Sequence, residues 1–189
     1  DEIGWCIEAL RLKDARMREE AVRTLGGKRD PRVIDPLIRA LRDEDPAVRE
    51  EAARSLGKVG GERAIHALIE AMKDERRSMR ESAVQALAGM GEAAVEPMLR
   101  SLGDADWHVR MGAAIALRII GEPAAIGPLI PALRDENRFV RREAAKSLGR
   151  FGDARAVPAL EQALHDADGG VRAKAEAALR RIREGNEGP

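Results

Sequence analysis

Apolar residues return along this chain in two alternating helical registers. Between Pro31 and Leu41 they fall at Ile34, Leu37, Ile38 and Leu41, the i, i+3, i+4, i+7 spacing of a helix with one buried face. A second set, Val48, Ala52, Ser55 and Leu56, marks another amphipathic helix from about Pro46 to Lys58. Asp45 stands where an N-cap acceptor is needed. Pro36 falls near a first turn, where a missing N–H costs least. Gly60 follows as a stop signal, as do Gly91, Gly121 and Gly152.

This two-helix unit then repeats. Arg49 of the second helix has counterparts at Arg18, Arg80, Arg110, Arg141 and Arg172, with successive steps of 31, 31, 30, 31 and 31 residues. Self-similarity at such a period is the signature of a repeat architecture. The first helices, A, are predicted to begin near residues 2, 31, 62, 92, 123 and 154, and the second, B, near 15, 46, 77, 107, 138 and 169. Six repeats follow, at about 1–29, 30–60, 61–90, 91–121, 122–152 and 153–185, forming one array over 1–185. Gly185 and residues 186–189 read as a frayed tail. The glycines recur at helix ends and read as punctuation, not as a phosphate cradle.

Composition narrows the picture. Hydrophobic residues make up 44% of the chain and aromatics only 2%, so the core must be Leu, Ala, Ile and Val. Ala and Leu favour helix. Thirty-three basic residues cancel thirty-three acidic ones, which gives no global pull toward nucleic acid or an anionic membrane. No apolar run reaches the ~18 residues that span a bilayer. The start, Asp1-Glu2-Ile3, shows no signal peptide. A single cysteine, Cys6, excludes an internal disulfide and fits a reducing, cytoplasmic setting. Cys6 aligns with Leu37 on a core stripe, so it reads as a small buried hydrophobe and not a nucleophile.

The pattern Pro-Leu-Ile-x-x-Leu, then Asp, then Val-Arg-x-x-Ala-x-x-x-Leu-Gly resembles the HEAT-repeat family, and more narrowly the short HEAT-like units of phycobilin lyase subunits. The resemblance implies an all-α fold, a right-handed α-solenoid of six HEAT-like two-helix repeats, with helices B on the concave side. It implies little about activity, because one fold hosts many functions. In a related HEAT family, the deoxyhypusine hydroxylases, His-Glu pairs follow this arginine and bind two irons. The matching pairs here, Glu19-Glu20, Glu50-Glu51, Glu81-Ser82, Met111-Gly112, Arg142-Glu143 and Ala173-Lys174, contain no histidine. A transition-metal cage would lack its usual ligands, so no cofactor is expected.

Five of the six arginines have an aspartate six residues earlier: Asp43, Asp74, Asp104, Asp135 and Asp166. Repeat one has Leu12 there. Each arginine is therefore expected to fork onto a carboxylate in its own turn or a neighbour's, forming a structural ladder.

Partner information should lie where the repeats differ on an exposed face. Four B positions spaced by four residues form such a stripe. They are Pro46, Glu50, Arg54 and Lys58 in repeat two, and Arg138, Arg142, Lys146 and Arg150 in repeat five. Repeat four carries Trp107, Met111, Ile115 and Ile119 instead. Four apolar residues on an otherwise wet stripe make a candidate contact patch. We take the partner-binding set as Trp107, His108, Met111, Ile115, Ile119, Arg138, Phe139, Arg142, Lys146, Glu50 and Glu81. The acidic residues lie N-terminal and the basic ones C-terminal, which suits an oriented protein or peptide partner.

The expected function is a non-enzymatic scaffold that binds a protein or peptide on its concave face. One alternative is a phycobilin-lyase-like role, with Trp107, Met111 and Phe139 beside Arg138 and Arg142 holding a flat tetrapyrrole. Another is nucleic-acid binding through the repeat-five cations, which Glu143 and the acidic repeats oppose. The first helix carries Ile3, Trp5, Cys6, Ile7, Leu10 and Leu12, apolar nearly all round. Such a face calls for an upstream segment or self-association through helix 1 (Trp5, Ile7).

Overall fold

A computed structural model describes residues 1–186. Its regular elements are twelve α-helices and three short 3-10 turns among the described residues. The helices are α1 (Glu2–Ala9), α2 (Ala15–Gly26), α3 (Ile34–Ala40), α4 (Pro46–Val59), α5 (Glu62–Ala71), α6 (Arg77–Gly89), α7 (Glu92–Ser101), α8 (Trp107–Ile120), α9 (Ile126–Ala132), α10 (Arg138–Phe151), α11 (Val157–Ala163) and α12 (Gly169–Asn186). The 3-10 turns Pro31–Val33, Pro123–Ala125 and Ala154–Ala156 lead into α3, α9 and α11. Because α12 continues through Asn186, Gly185 is helical and not frayed. The rest of the anticipated tail, 187–189, lies outside the described residues. No described helix is long and apolar enough to cross a membrane.

The chain divides into two compact units, Asp1–Ala94 and Val95 onward. In the first, α2 packs on α4 and α4 on α6, while α1, α3 and α5 cover α2, α4 and α6. In the second, α8 packs on α10 and α10 on α12, with α9 and α11 covering α10 and α12. Both units are thus two layers of helix built by repetition.

The core follows the register read from the sequence. Val48, Ala52, Ser55 and Leu56 are all fully buried. Leu25, Leu56, Leu87, Leu117 and Leu148 recur at one B position, and Leu37, Leu68, Met98, Leu129 and Leu160 at one A position, all with 0% exposure. Each stabilises the fold by roughly 1.5–3 kcal/mol before entropy is counted. Cys6 heads the A series and is buried as well. Burial pushes its thiol up, away from the reactive thiolate. Gly60, Gly91, Gly121 and Gly152 take positive φ, as helix stops should.

Not every glycine is punctuation. Gly26, Gly57 and Gly149 follow the buried leucines within or at the end of B helices and have ordinary negative φ. They are spacers that let adjacent B helices approach. A Cβ on Gly149 would lie 2.7 Å from the Cα and Cβ of Ala178, and one on Gly57 would lie 3.1 Å from the Cβ of Ala86. A Cβ on Gly26 would strike Ser55. Ser55 in turn donates to the Val22 carbonyl at 3.2 Å, and Ser147 to the Ala114 carbonyl at 3.3 Å, tying B helix to B helix.

The ladder runs between repeats. Arg18 forks onto Asp43, with Nε–Oδ2 2.9 Å and Nη2–Oδ1 2.8 Å. Arg110 does so onto Asp135 at 2.7 and 3.0 Å, and Arg141 onto Asp166 at 2.7 and 2.9 Å. In every case the carboxylate belongs to the following repeat. The remaining Nη1 of each arginine donates to two carbonyls of its own turn, such as Asp104 and Ala105 for Arg110. Arg18 finds these acceptors at Leu12 and Lys13, so the missing aspartate of repeat one is not needed.

The Arg49 junction departs from this scheme. Arg49 donates to the Asp43 and Glu44 carbonyls. Asp74, its expected carboxylate, instead holds Arg76 through two side-chain hydrogen bonds of 2.8 Å. Position 76 is an N-cap position. Asp14, Asp45, Asp106 and Asn137 cap their helices with side-chain oxygens, whereas Arg76 offers none to α6. A single residue has therefore removed a cap and diverted a carboxylate.

Candidate functional site

The apolar stripe of repeat four begins at the first residue of α8. Asp106 caps the helix by accepting the His108 N–H at 2.8 Å. The same oxygen lies 3.0 Å from the His108 Nδ1, which orients the ring. Trp107 then stacks on His108 with centroids 3.7 Å apart and on Phe139 at 5.4 Å, both nearly parallel. Phe139 is set the same way: Asn137 caps α10 by accepting its N–H at 2.8 Å. Two N-caps on neighbouring B helices thus bring three rings together.

Cations close the far side of the stack. The guanidinium of Arg138 lies 4.9 Å from the Phe139 ring centre and that of Arg142 lies 5.6 Å away. Asp168 holds both. It accepts from Arg142 Nε at 2.9 Å and Nη2 at 3.1 Å, and Arg138 Nη1 is 3.7 Å away. The hydrogen bond from Arg142 is the main cause that keeps the Asp168 carboxyl below the usual range, against the pull of burial. Asp168 also caps α12 through the Val171 N–H at 3.0 Å. Gly170 leaves the space this clamp needs, since a side chain there would strike the Arg142 guanidinium.

Below the rings, Met111 and Ile115 are half-buried, and Ile119 ends the stripe 44% exposed. Trp107 is half-buried against its two ring neighbours, while Phe139 stands 36% exposed. Arg118 reaches across to Glu143 at 3.0 Å, and Lys146 lies 3.6 Å from the same carboxylate. Of the predicted residues, Trp107, His108, Phe139, Arg138 and Arg142 come together in one stack, while Met111, Ile115 and Ile119 continue along α8 and Lys146 along α10.

Glu50 and Glu81 belong to the other unit. They line a groove of about 700 Å³ between α4 and α6, together with Arg54, Lys58, Ser82 and Gln85. Glu81 is paired there with Arg77 at 2.7 Å. Glu51, beside this groove, is 2% exposed and held by Arg54, with Arg23 at 3.8 Å.

Sequence reasoning missed Asp168, Gly170 and the Arg118–Glu143 pair. A signal existed for one of them. Arg118 occupies the register position that is Gly26, Gly57 and Gly149 in other repeats, so a long side chain there announces a changed helix contact. Among the described residues no three His, Cys, Asp or Glu side chains gather as a metal site.

These features define a class, the helical-repeat scaffolds, in which tandem helix pairs share one core and leave a repeated face exposed. The HEAT-repeat profile matches residues 4–88, 70–133 and 120–180, and the chain belongs to that family. No curated protein matches it. Similar solved structures share the fold. One is a designed armadillo repeat protein in complex with the peptide (KR)4, at 23% identity and TM-score 0.54, covering 96% of this chain and 100% of that one. The complex of CpcE and CpcF of phycocyanin lyase from Nostoc sp. PCC7120 has 25% identity and TM-score 0.52, covering 92% and 74%. Human deoxyhypusine hydroxylase has 24% identity and TM-score 0.52, covering 96% and 84%.

Proposed function

We propose that this chain is a non-enzymatic docking scaffold for a protein or peptide segment, with its principal site on α8 and α10. The observation that carries this reading is the apolar stripe Trp107–Met111–Ile115–Ile119, continued by the Trp107–Phe139 stack, on a face that is polar in repeats two and five. Large rings held rigidly by their neighbours lose little freedom on binding and make effective anchors. The armadillo relative in complex with a peptide and the CpcE–CpcF complex support the same use of helical repeats.

The test is direct. Peptides selected against the wild-type protein lose affinity for Trp107→Ala and for Met111→Glu by about thirtyfold, the ~2 kcal/mol of a binding hot spot. Both variants keep the wild-type helical circular dichroism. If Trp107→Ala unfolds the protein, Trp107 is core; if it leaves binding unaltered, the site is elsewhere.

A second reading has its own observation. Phe139 with two guanidiniums beside it, next to the Trp107 ring, is suited to a flat dianionic pigment such as a bilin. A bilin titration that changes the pigment's absorbance with wild type but not with Phe139→Ala would favour it over a peptide.

We further propose that α1 pairs with a second copy. Trp5 is 59% exposed, Leu12 45% and Met17 40%, and Ile7 beside them is half-buried. The weight-average mass in sedimentation equilibrium then rises with concentration, and Trp5→Glu with Leu12→Glu abolishes the rise. A wild-type mass that is flat with concentration removes this proposal.

A further inference from the structure

We infer that the segment docking on α8 and α10 is acidic, an amphipathic helix whose apolar stripe is flanked by carboxylates. The inference rests on the docking reading above and adds the chemistry of the partner. Five cations edge the apolar stripe: Arg118, Arg138, Arg142, Lys146 and Arg150. Two carboxylates pair with them, Glu143 and Asp168, and Asp106 sits at the start of the stripe beside His108, leaving a net of two positive charges.

The placement of these charges says more than their number. The Glu143 and Asp168 side chains are only 14% and 12% exposed. Those of Arg138 and Lys146 are 59% and 49% exposed. The carboxylates therefore lie beneath the surface and hold the inner edges of the cations, whose other N–H groups face outward. Arg142 gives Nε and Nη2 to Asp168, so its Nη1 remains available for an incoming oxygen. Arg150 is exposed, and among the described residues no carboxylate lies within ion-pair distance of it. A guanidinium fixed by one carboxylate is already ordered, so a second carboxylate meets it with less loss of side-chain freedom.

Geometry selects the form of the partner. The stripe runs from Trp107 to Ile119 along α8, about 18 Å at the helical rise of roughly 1.5 Å per residue. An apolar face of about three turns, with anchors at i, i+3, i+4, i+7 and i+11, covers most of that length. A phosphate backbone suits the surface less well. Met111, Ile115 and Ile119 supply aliphatic contact where nucleic acid calls for an uninterrupted run of cations and stacking faces.

The experiment uses the full chain carrying Trp5→Phe, so that Trp107 is the only indole. Four probes are titrated by fluorescence: a helical peptide of about four turns with a Leu/Ile stripe and Glu flanks, the same stripe with Gln flanks, the same with Lys flanks, and an oligothymidine. The Glu peptide is expected to bind about tenfold more tightly than the Gln peptide, with the Lys peptide weaker still and the difference shrinking as salt is added. Lys146→Glu with Arg150→Glu, both on the exposed face and away from the Asp168 clamp, should reverse the order of the Glu and Lys peptides. Equal binding of all three peptides, with loss in Met111→Glu, which keeps the Trp107 reporter, would leave the docking reading standing and overturn the acidic partner. Tighter binding of the oligothymidine would assign the face to nucleic acid and overturn it as well. If no probe binds, the docking reading fails, and the inference with it.

Discussion

Arg110→Ala lowers the unfolding free energy by about 3 kcal/mol, the lower end of the range for breaking a buried ion pair, as read from urea denaturation. The side chain is 8% exposed and makes four hydrogen bonds of 2.7–3.0 Å, to both oxygens of Asp135 and to the Asp104 and Ala105 carbonyls. Truncation leaves a nearly buried carboxylate and two carbonyls to find water through the gap, and that is the penalty being measured. The site opens to solvent on the side of Glu136, whose side chain is 85% exposed, which is why the lower figure applies.

The same pair sets an acid dependence. Burial tends to raise the Asp135 carboxyl, but the hydrogen bonds from Arg110 and from the Asn137 N–H outweigh it, so the folded pKa is lowered. For Asp166 the hydrogen bond from Arg141 is the leading cause, again lowering it. A carboxyl with a depressed folded pKa contributes stability above its unfolded pKa of roughly 3.9, and that stability is lost as pH falls through the folded value. Wild type should lose stability on acidification below about pH 4. Arg110→Ala should lose less over the same interval, because Asp135 then titrates more like an unfolded carboxyl. An acid limb identical in the two proteins would show that the fork does not set this dependence.

Gly149→Leu destabilises by about 3 kcal/mol, at the upper end of the range for overpacking. A Cβ there already meets the Cα of Ala178 at 2.7 Å, and backbone cannot move aside as a flexible side chain can. Gly149→Ala sets two effects against each other. Alanine gains about 1 kcal/mol of helix propensity, but its methyl must force α10 from α12. We expect a net loss. Gly89→Ala, at the end of α6, has no atom within 4 Å of the new Cβ and an ordinary φ, so the same substitution should stabilise there by about 0.5–1 kcal/mol. Thermal and urea unfolding of the three variants checks the ordering. Stabilisation by both alanines would show that the B helices are not spaced by glycine.

This contrast marks what the sequence could and could not reveal. Helix starts, the A and B core registers and the arginine period are carried by residues that recur at fixed spacing, so they could be read off directly. The function of Gly149 could not, because a glycine before a stop and a glycine between two helices look alike along one strand of text. The partner of each arginine was open for the same reason. An aspartate six residues back and one twenty-five residues on are equally visible, and only the rotation of one B helix against the next selects the second. The departure of repeat four was legible as four apolar residues in a polar column. The ring stack was not, since Trp107 lies three residues before its arginine and Phe139 two before its own. Asp168 stayed hidden because its clamp on Arg142 depends on the neighbouring Gly170, which carries no side chain to suggest it.

Arg76 shows how little change a repeat protein needs to alter one of its joints. Where Asp45 and Asn137 start a helix and leave Asp43 and Asp135 to Arg18 and Arg110, Arg76 does neither. The core residues around it, Leu56, Met79 and Leu87, remain buried. An arginine at this one position thus leaves the α4–α6 seam without its polar fork while the hydrophobic layer stays intact, so the bracing of neighbouring units and the filling of their shared core are separable.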